Sequence, residues 1–274
     1  MSQIYQYAVA SLFIEAIVIF FYFQKKSLPT FQNIVFFLVL SVVTLTTVSE
    51  LACSYLEKRI LTTNITLLWI VECLYFTVST TFGILFVIYN LSVMDIYGKL
   101  TKKQLTFIKL SLLIPYFYVL LDIWCTFIFR NIYPMVFTLK PDIGYQRGNN
   151  FWFYSLCSVK VIYIIISIII VSCYRKFVAK QKMQIQHFYL ITITFTGLLQ
   201  FFNFGLLIES FGMALATLVY FFFVQKPEEL VDISTDTLNQ TALTRTIRYN
   251  FTVKADFTCA AIYIDDTFFL ANTF

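Results

Sequence analysis

Six blocks of this 274-residue chain are apolar for longer than any soluble core helix requires, and they limit the folds open to it. A bilayer core asks for about 20 consecutive apolar residues per helix. Runs of that length lie at Ile4–Phe23, Phe31–Leu56, Leu67–Val93, Leu105–Phe129 and Phe151–Cys173. A sixth block, Phe188–Val224, is long enough for two helices, with a tight turn expected near Glu209-Ser210-Phe211-Gly212. The expectation is an all-α membrane protein, a seven-transmembrane helix bundle occupying residues 1–225. Charged residues make up only 13% of the chain, about half the share of a soluble domain, so the water-facing surface such a domain needs is missing.

Basic residues orient the bundle. With the N-terminus outside, the inner loops hold Lys25, Lys26, Lys99, Lys102, Lys103, Arg175, Lys176, Lys180 and Lys182. The outer loops hold Lys58, Arg59, Arg130, Lys140 and Arg147, so the excess lies inside, in a cell membrane, and the C-terminus is cytoplasmic. The net charge of +5 then reflects inner loops meeting anionic lipid rather than nucleic acid. The first block reads as a span and not a signal peptide, because Met1-Ser2-Gln3 lacks a basic start and no small-residue cleavage site follows. Cys53, Cys73, Cys125, Cys157 and Cys173 fall within spans and Cys259 in the tail; none has metal-ligand spacing, and they read as packing. The many Phe and Tyr residues read as lipid-facing bulk and interfacial belts.

Charges inside the spans are costly and face the bundle interior. They are Glu15, Glu50, Glu72, Asp122 and Lys160, with Glu209 in the last turn of the sixth span. Counting helical rise places Glu50, Glu72, Asp122 and Lys160 roughly 8–14 Å below the outer boundary and Glu15 roughly 16 Å down. An outward-facing polar cavity is expected. Two arrangements satisfy so many carboxylates against one lysine. In one, Lys160 pairs with an acid and the others bond Ser, Thr or Tyr across helices. In the other, the site takes a small extracellular ligand, a cation, an amine or protons. His187 stands alone at the inner mouth of the sixth span and reads as interfacial. In the outer loop, Val136–Lys140 and Tyr145–Arg147 flank Pro141-Asp142-Ile143-Gly144, the composition of a β-hairpin. It closes a long loop, or covers the cavity with Arg147 offered to an anionic group.

The tail changes character at Lys226-Pro227-Glu228-Glu229. Pro227 suits a first helical position with Glu228 and Glu229 behind it, and Asn239 suits the N-cap of a second helix bearing Ala242, Leu243 and Ile247. The run Cys259–Ile264 reads as a buried strand. The tail, with Asp232, Thr235 and Asn239 in place and Pro227-Glu228-Glu229 straight after the last span, resembles the entry into a GGDEF domain of the diguanylate cyclase family, as found in membrane-bound Firmicutes members. Ser234, Asp236, Thr237 and Gln240 depart from the family pattern. The resemblance covers Pro227 to Phe274 and implies a linker over 226–250. It also implies the opening helix and first strand of an incomplete α/β domain over 251–274.

The family would bring Mg²⁺ and GTP, and a homodimer in which two output domains face each other. Here its first metal-binding aspartate falls on Tyr263, or on Ile264 in a register one residue removed. Asp265 and Asp266 remain as candidate metal ligands, and the guanine contact falls on Ala271 or Asn272. The expectation is therefore a sensor whose output domain is degenerate, without activity in this stretch and without a cofactor of its own. Two other classes compete: a serpentine chemoreceptor of the G-protein-coupled type and a small multi-pass transporter. Against the first, Asn90–Tyr97 holds no Asp-Arg-Tyr-like triplet; against the second, Pro115 and scattered glycines are few breaks.

Overall fold

A computed structural model describes residues 4–24, 31–60, 64–94, 101–132, 136–140, 144–148, 150–174, 180–203, 207–224, 231–232, 237–253, 256–258 and 260. Helices α1 (Ile4–Gln24), α2 (Phe31–Lys58), α3 (Ile65–Val93) and α4 (Lys102–Ile128) precede a hairpin of β1 (Phe137–Lys140) and β2 (Gly144–Arg147). Then come α5 (Phe151–Cys173), α6 (Lys180–Phe202) and α7 (Glu209–Val224), a short strand pair β3 (Val231–Asp232) and β4 (Thr237–Leu238), and α8 (Gln240–Val253).

Six helices, α1 to α6, are long and apolar enough to cross a membrane. The seventh, α7, is apolar but has 16 residues, about 24 Å of rise against a hydrocarbon core of about 30 Å. Helices α1 to α5 start and stop within about three residues of the apolar blocks, while α6 begins at Lys180, well before the expected Phe188; side-chain caps mark three of the starts. Asn64 accepts from the Thr66 N–H, Asn150 from the Phe153 N–H, and Thr101 with Gln104 forms a capping box on α4.

Helix α3 occupies the centre, packed against α2, α4 and α5, while α7 sits between α6 and α1 and touches α2. Two interior clusters result. One joins α3, α4, α5 and the hairpin through Trp69, Val119, Ile123 and Leu156; the other joins α1, α2, α3, α6 and α7 through Phe36, Phe86, Tyr189 and Tyr220. The outside is apolar as well, with Phe13, Phe20, Phe107, Leu121 and Ile191 exposed, the surface of a body solvated by lipid.

Two glycines let helices approach. A Cβ on Gly212 of α7 would lie 2.7 Å from Thr196 Cβ on α6, and one on Gly83 of α3 would lie 2.6 Å from the Tyr163 ring on α5. Small residues at such crossings are how helices associate where lipid offers no hydrophobic drive.

The break between the last two helices falls before Glu209 and not at the expected turn around Glu209–Gly212. Glu209 therefore opens α7 instead of ending α6. Backbone chemistry explains the shift: Gln200 Oε1 accepts from the Ile208 and Glu209 N–H groups at 3.0 and 2.7 Å, satisfying free donors at the start of α7. In the tail, Asn239 caps α8 as expected, its Oδ1 accepting from the Ala242 N–H at 3.1 Å. Just before it, where helix and turn were expected, Val231 pairs with Leu238 and Asp232 with Thr237 in an antiparallel ladder. The Pro227 segment, the Cys259–Ile264 run apart from Ala260, Asp265 and Asp266 lie outside the described residues.

Candidate functional site

The expected hairpin forms, with Phe137 opposite Arg147 and Lys140 opposite Gly144. Alternation puts Phe137 and Leu139 on the buried face, and both are enclosed. Phe137 stacks on Trp69 at 4.9 Å and Phe76 at 5.5 Å, both from α3, and on Tyr145 across the hairpin at 5.7 Å. Two backbone donors tie it to the bundle: Val136 N–H donates to Thr126 Oγ1 of α4, and Tyr145 N–H donates to Glu57 Oε1 of α2. The hairpin thus seats on one end of the bundle, and the side chain of Arg147 lies outside the described residues.

Beneath it is a cavity of about 700 Å³, within the usual range for small-molecule sites. Its acidic end is built from helical stripes. On α2 the positions Glu50, Cys53, Ser54 and Glu57 share one face; on α3 Glu72, Tyr75, Phe76 and Ser79 do the same. Lys160 of α5, Gln200 of α6 and Glu209 of α7 complete that end, and aromatic and aliphatic groups line the rest. Of the sequence candidates, Glu50, Glu72, Lys160 and Glu209 converge here.

Glu15 and Asp122 are not among the lining groups. Glu15 accepts from Thr47 Oγ1 at 2.6 Å, and Asp122 Oδ2 accepts from Ser155 Oγ at 3.3 Å. These are cross-helix bonds of the expected kind, although Glu15 Oε2 is left without a partner. His187 is exposed on α6, its Nδ1 2.7 Å from the Met183 carbonyl one turn back.

Charge in the cavity is unbalanced. Lys160 Nζ bonds Glu209 Oε1 at 2.8 Å, joining α5 to α7. Glu50, Glu57 and Glu72 also line the cavity, and among the described residues no second Lys or Arg does. Glu57 has the Tyr145 N–H. Glu50 is 2% exposed and neither of its carboxylate oxygens has a hydrogen-bond partner; Ser210 and Gln200 are its polar neighbours, but neither meets it in bonding geometry. A buried carboxylate left in that state is costly, and it calls for a partner such as a bound molecule, an ion or a water. Tyr145, at the hairpin end, has its phenol pushed well above the ordinary range by burial and then by Glu72 and Glu57, so it remains a neutral donor beside the acids.

Sequence reasoning missed Glu57, Tyr75 and Gln200. Glu57 is legible in the sequence: it stands two helical turns from Glu50, on the same face, one residue beyond the apolar run that ends at Leu56. Gln200 carried no signal, since its role depends on where α7 begins. Among the described residues no cluster of His, Cys, Asp or Glu has the arrangement of a metal site. Comparison with protein-family models, with curated proteins and with solved structures finds no match to this chain.

Proposed function

We propose that the chain is the membrane-embedded sensor region of a bacterial signalling protein, in the cell membrane with its N-terminus outside and its tail in the cytoplasm. In this reading α7 serves as the seventh span. Its shortness is accommodated by local thinning of the bilayer. The cavity would receive a small molecule from the hairpin side or from the membrane, and occupancy would be passed to the tail through α7.

One observation carries the reading: α7 contributes Glu209 and Met213 to the cavity and is also the last bundle helix before the tail. A ligand that reorganises the Lys160–Glu209 pair would move the helix that leads to the output segment. The tail's resemblance to the GGDEF entry supports an output acting in cyclic di-GMP signalling, with two protomers docking through their last helices. The residues present do not fit a magnesium–GTP centre. Tyr263 or Ile264 stands where the family has its first metal-binding aspartate, and neither a phenol nor an alkyl group replaces a carboxylate for Mg²⁺. No phosphoryl-transfer step is assigned to this chain.

Reading the coding sequence past the Phe274 codon tests the output assignment. A Gly-His pair followed by a Gly-Gly-Asp-Glu-Phe-like loop is expected; a stop codon or unrelated sequence would refute it. Uptake of a labelled amine into proteoliposomes would replace the receptor by a transporter.

A further inference from the structure

We infer that the cavity takes a molecule with a protonated amine on an apolar body, and that this molecule enters from the bilayer between α5 and α6. The inference rests on the cavity being a ligand site, as proposed above, and adds the ligand's chemistry and its route.

The amine follows from charge. Among the described residues the one lysine lining the cavity is engaged by Glu209, and three further carboxylates face the same space. Glu50 is the decisive one, almost wholly buried, lining the cavity, with both oxygens unpartnered. A cation seated at this end, once the wall shifts to admit it, meets two unpartnered acceptors from Glu50 and further acceptors from Glu72. An anion would meet repulsion from the carboxylates, and a neutral molecule could donate a hydrogen bond but would leave the carboxylate charge uncompensated. An ammonium brings several donors and fits better than a bare metal ion, because the described residues hold no ligand cluster for a metal.

The apolar body follows from the remainder of the wall. Along α3 the lining continues from Glu72 to Phe86, about 21 Å, and passes from carboxylates to Phe82 and Phe86. The ligand is accordingly long and amphiphilic, its charged group under the hairpin and its body directed down the bundle.

The route follows from the packing of α5 and α6. These neighbours in sequence touch only sparingly. Cavity-lining residues on both are exposed on the outer surface of the bundle, Val161 and Ile162 on α5 and Leu198 on α6. Beside Leu198, Gly197 also lines the cavity, and a Cβ placed on it would meet nothing within 4 Å. The wall is open there, at a face bordered by apolar groups that contact lipid. The shared chemistry, a primary ammonium on an apolar body, belongs both to free amphiphilic amines and to lipids with an aminated headgroup.

The test uses the full chain in nanodiscs of phosphatidylcholine and phosphatidylglycerol. Thermal unfolding is followed with 4-phenylbutylamine, its neutral analogue 4-phenylbutanol and its anionic analogue 4-phenylbutyrate. The amine alone should raise the melting temperature saturably, by about 5–10 °C at high excess. Glu50→Gln, nearly the same shape, should weaken that affinity by about tenfold or more. Gly197→Phe fills open space, so it should fold normally and lose the amine's effect. Exchanging part of the lipid for phosphatidylethanolamine separates the sources: stabilisation without added amine assigns the ligand to a headgroup, and none assigns it to a free amine. Equal shifts from alcohol and amine, in wild type and Glu50→Gln alike, would overturn the charge assignment while leaving a ligand cavity. Undiminished amine binding in Gly197→Phe would overturn the lateral route. No shift with any probe would overturn this inference and the receptor reading together.

Discussion

Gly212 and Gly197 lie on neighbouring helices, and the same substitution should act on them with opposite sign. At Gly212 an added Cβ would stand 2.7 Å from Thr196 Cβ and equally close to its Cγ2. Apolar carbons rest at about 3.5–4.0 Å, so α6 and α7 would have to separate by about 1 Å. Thr196 cannot simply turn away, because its hydroxyl donates to the Thr192 carbonyl at 2.9 Å and its side chain is buried in the crossing. Overpacking of this kind costs about 1–3 kcal/mol, and the lost hydroxyl bond about 1 kcal/mol. Exchange of Gly for Ala within a helix returns about 1 kcal/mol of intrinsic propensity. The net for Gly212→Ala is a loss of about 1–3 kcal/mol. For a chain of this size that lowers the melting temperature by at least about 2 °C. Gly197→Ala has no neighbour to displace and keeps only the propensity gain, so its melting temperature should hold or rise. The assay is thermal unfolding of both variants in the same detergent, followed by intrinsic fluorescence. Equal responses from the two would refute the close α6–α7 crossing and the open wall beside Gly197.

Three further outcomes can be checked. Lys160→Met strips Glu209 of its partner. The pair is part-exposed, so a loss below the 3–5 kcal/mol of fully buried pairs is expected, about 1–3 kcal/mol, and adding Glu209→Gln should restore most of it in an unfolding comparison. Gln200→Leu removes the acceptor for two N–H groups at the start of α7. It should cost about 1–2 kcal/mol and speed hydrogen exchange at Ile208 and Glu209; unchanged exchange would refute the cap. Phe137→Ala empties a fully enclosed site between Trp69, Phe76 and Tyr145. A loss of about 3–5 kcal/mol is expected, with new protease sensitivity at the hairpin, and a stable protected variant would show that the hairpin is not seated there.

The bundle was legible because each span announces itself: a run such as Phe151–Cys173 has no polar interruption except Lys160 and small hydroxyls, and its helix matches the run end to end. The hairpin was legible for a local reason, alternating residues around Pro141 and Gly144. The break before Glu209 was only partly legible: Asn203 and Gly205 interrupt the apolar run there, but the start of α7 depends on Gln200 reaching across to cap it. The acids divide in the same way. Sequence counts them and gives their depth, but a hydroxyl supplied by Thr47 or Ser155 decides that one oxygen of Glu15 and one of Asp122 are bonded away from the cavity, while Glu15 Oε2 stays unpartnered. Those partners lie 32 and 33 residues away, and only the packing of α1 on α2 and of α4 on α5 brings them together. That Glu50 is left without a partner is a property of the assembled bundle.

Photolabelling tests most directly whether the acidic cavity is a binding site. A benzylamine carrying a diazirine would be irradiated with the protein in nanodiscs and the adducts mapped by mass spectrometry. Labelling is expected on the cavity-facing stretches of α3 from Tyr75 to Phe86 and of α6 from Leu190 to Phe201, reduced by excess 4-phenylbutylamine and by Glu50→Gln. Adducts confined to lipid-facing positions such as Phe13 and Leu121, with no competition by the amine, would contradict a cavity that binds.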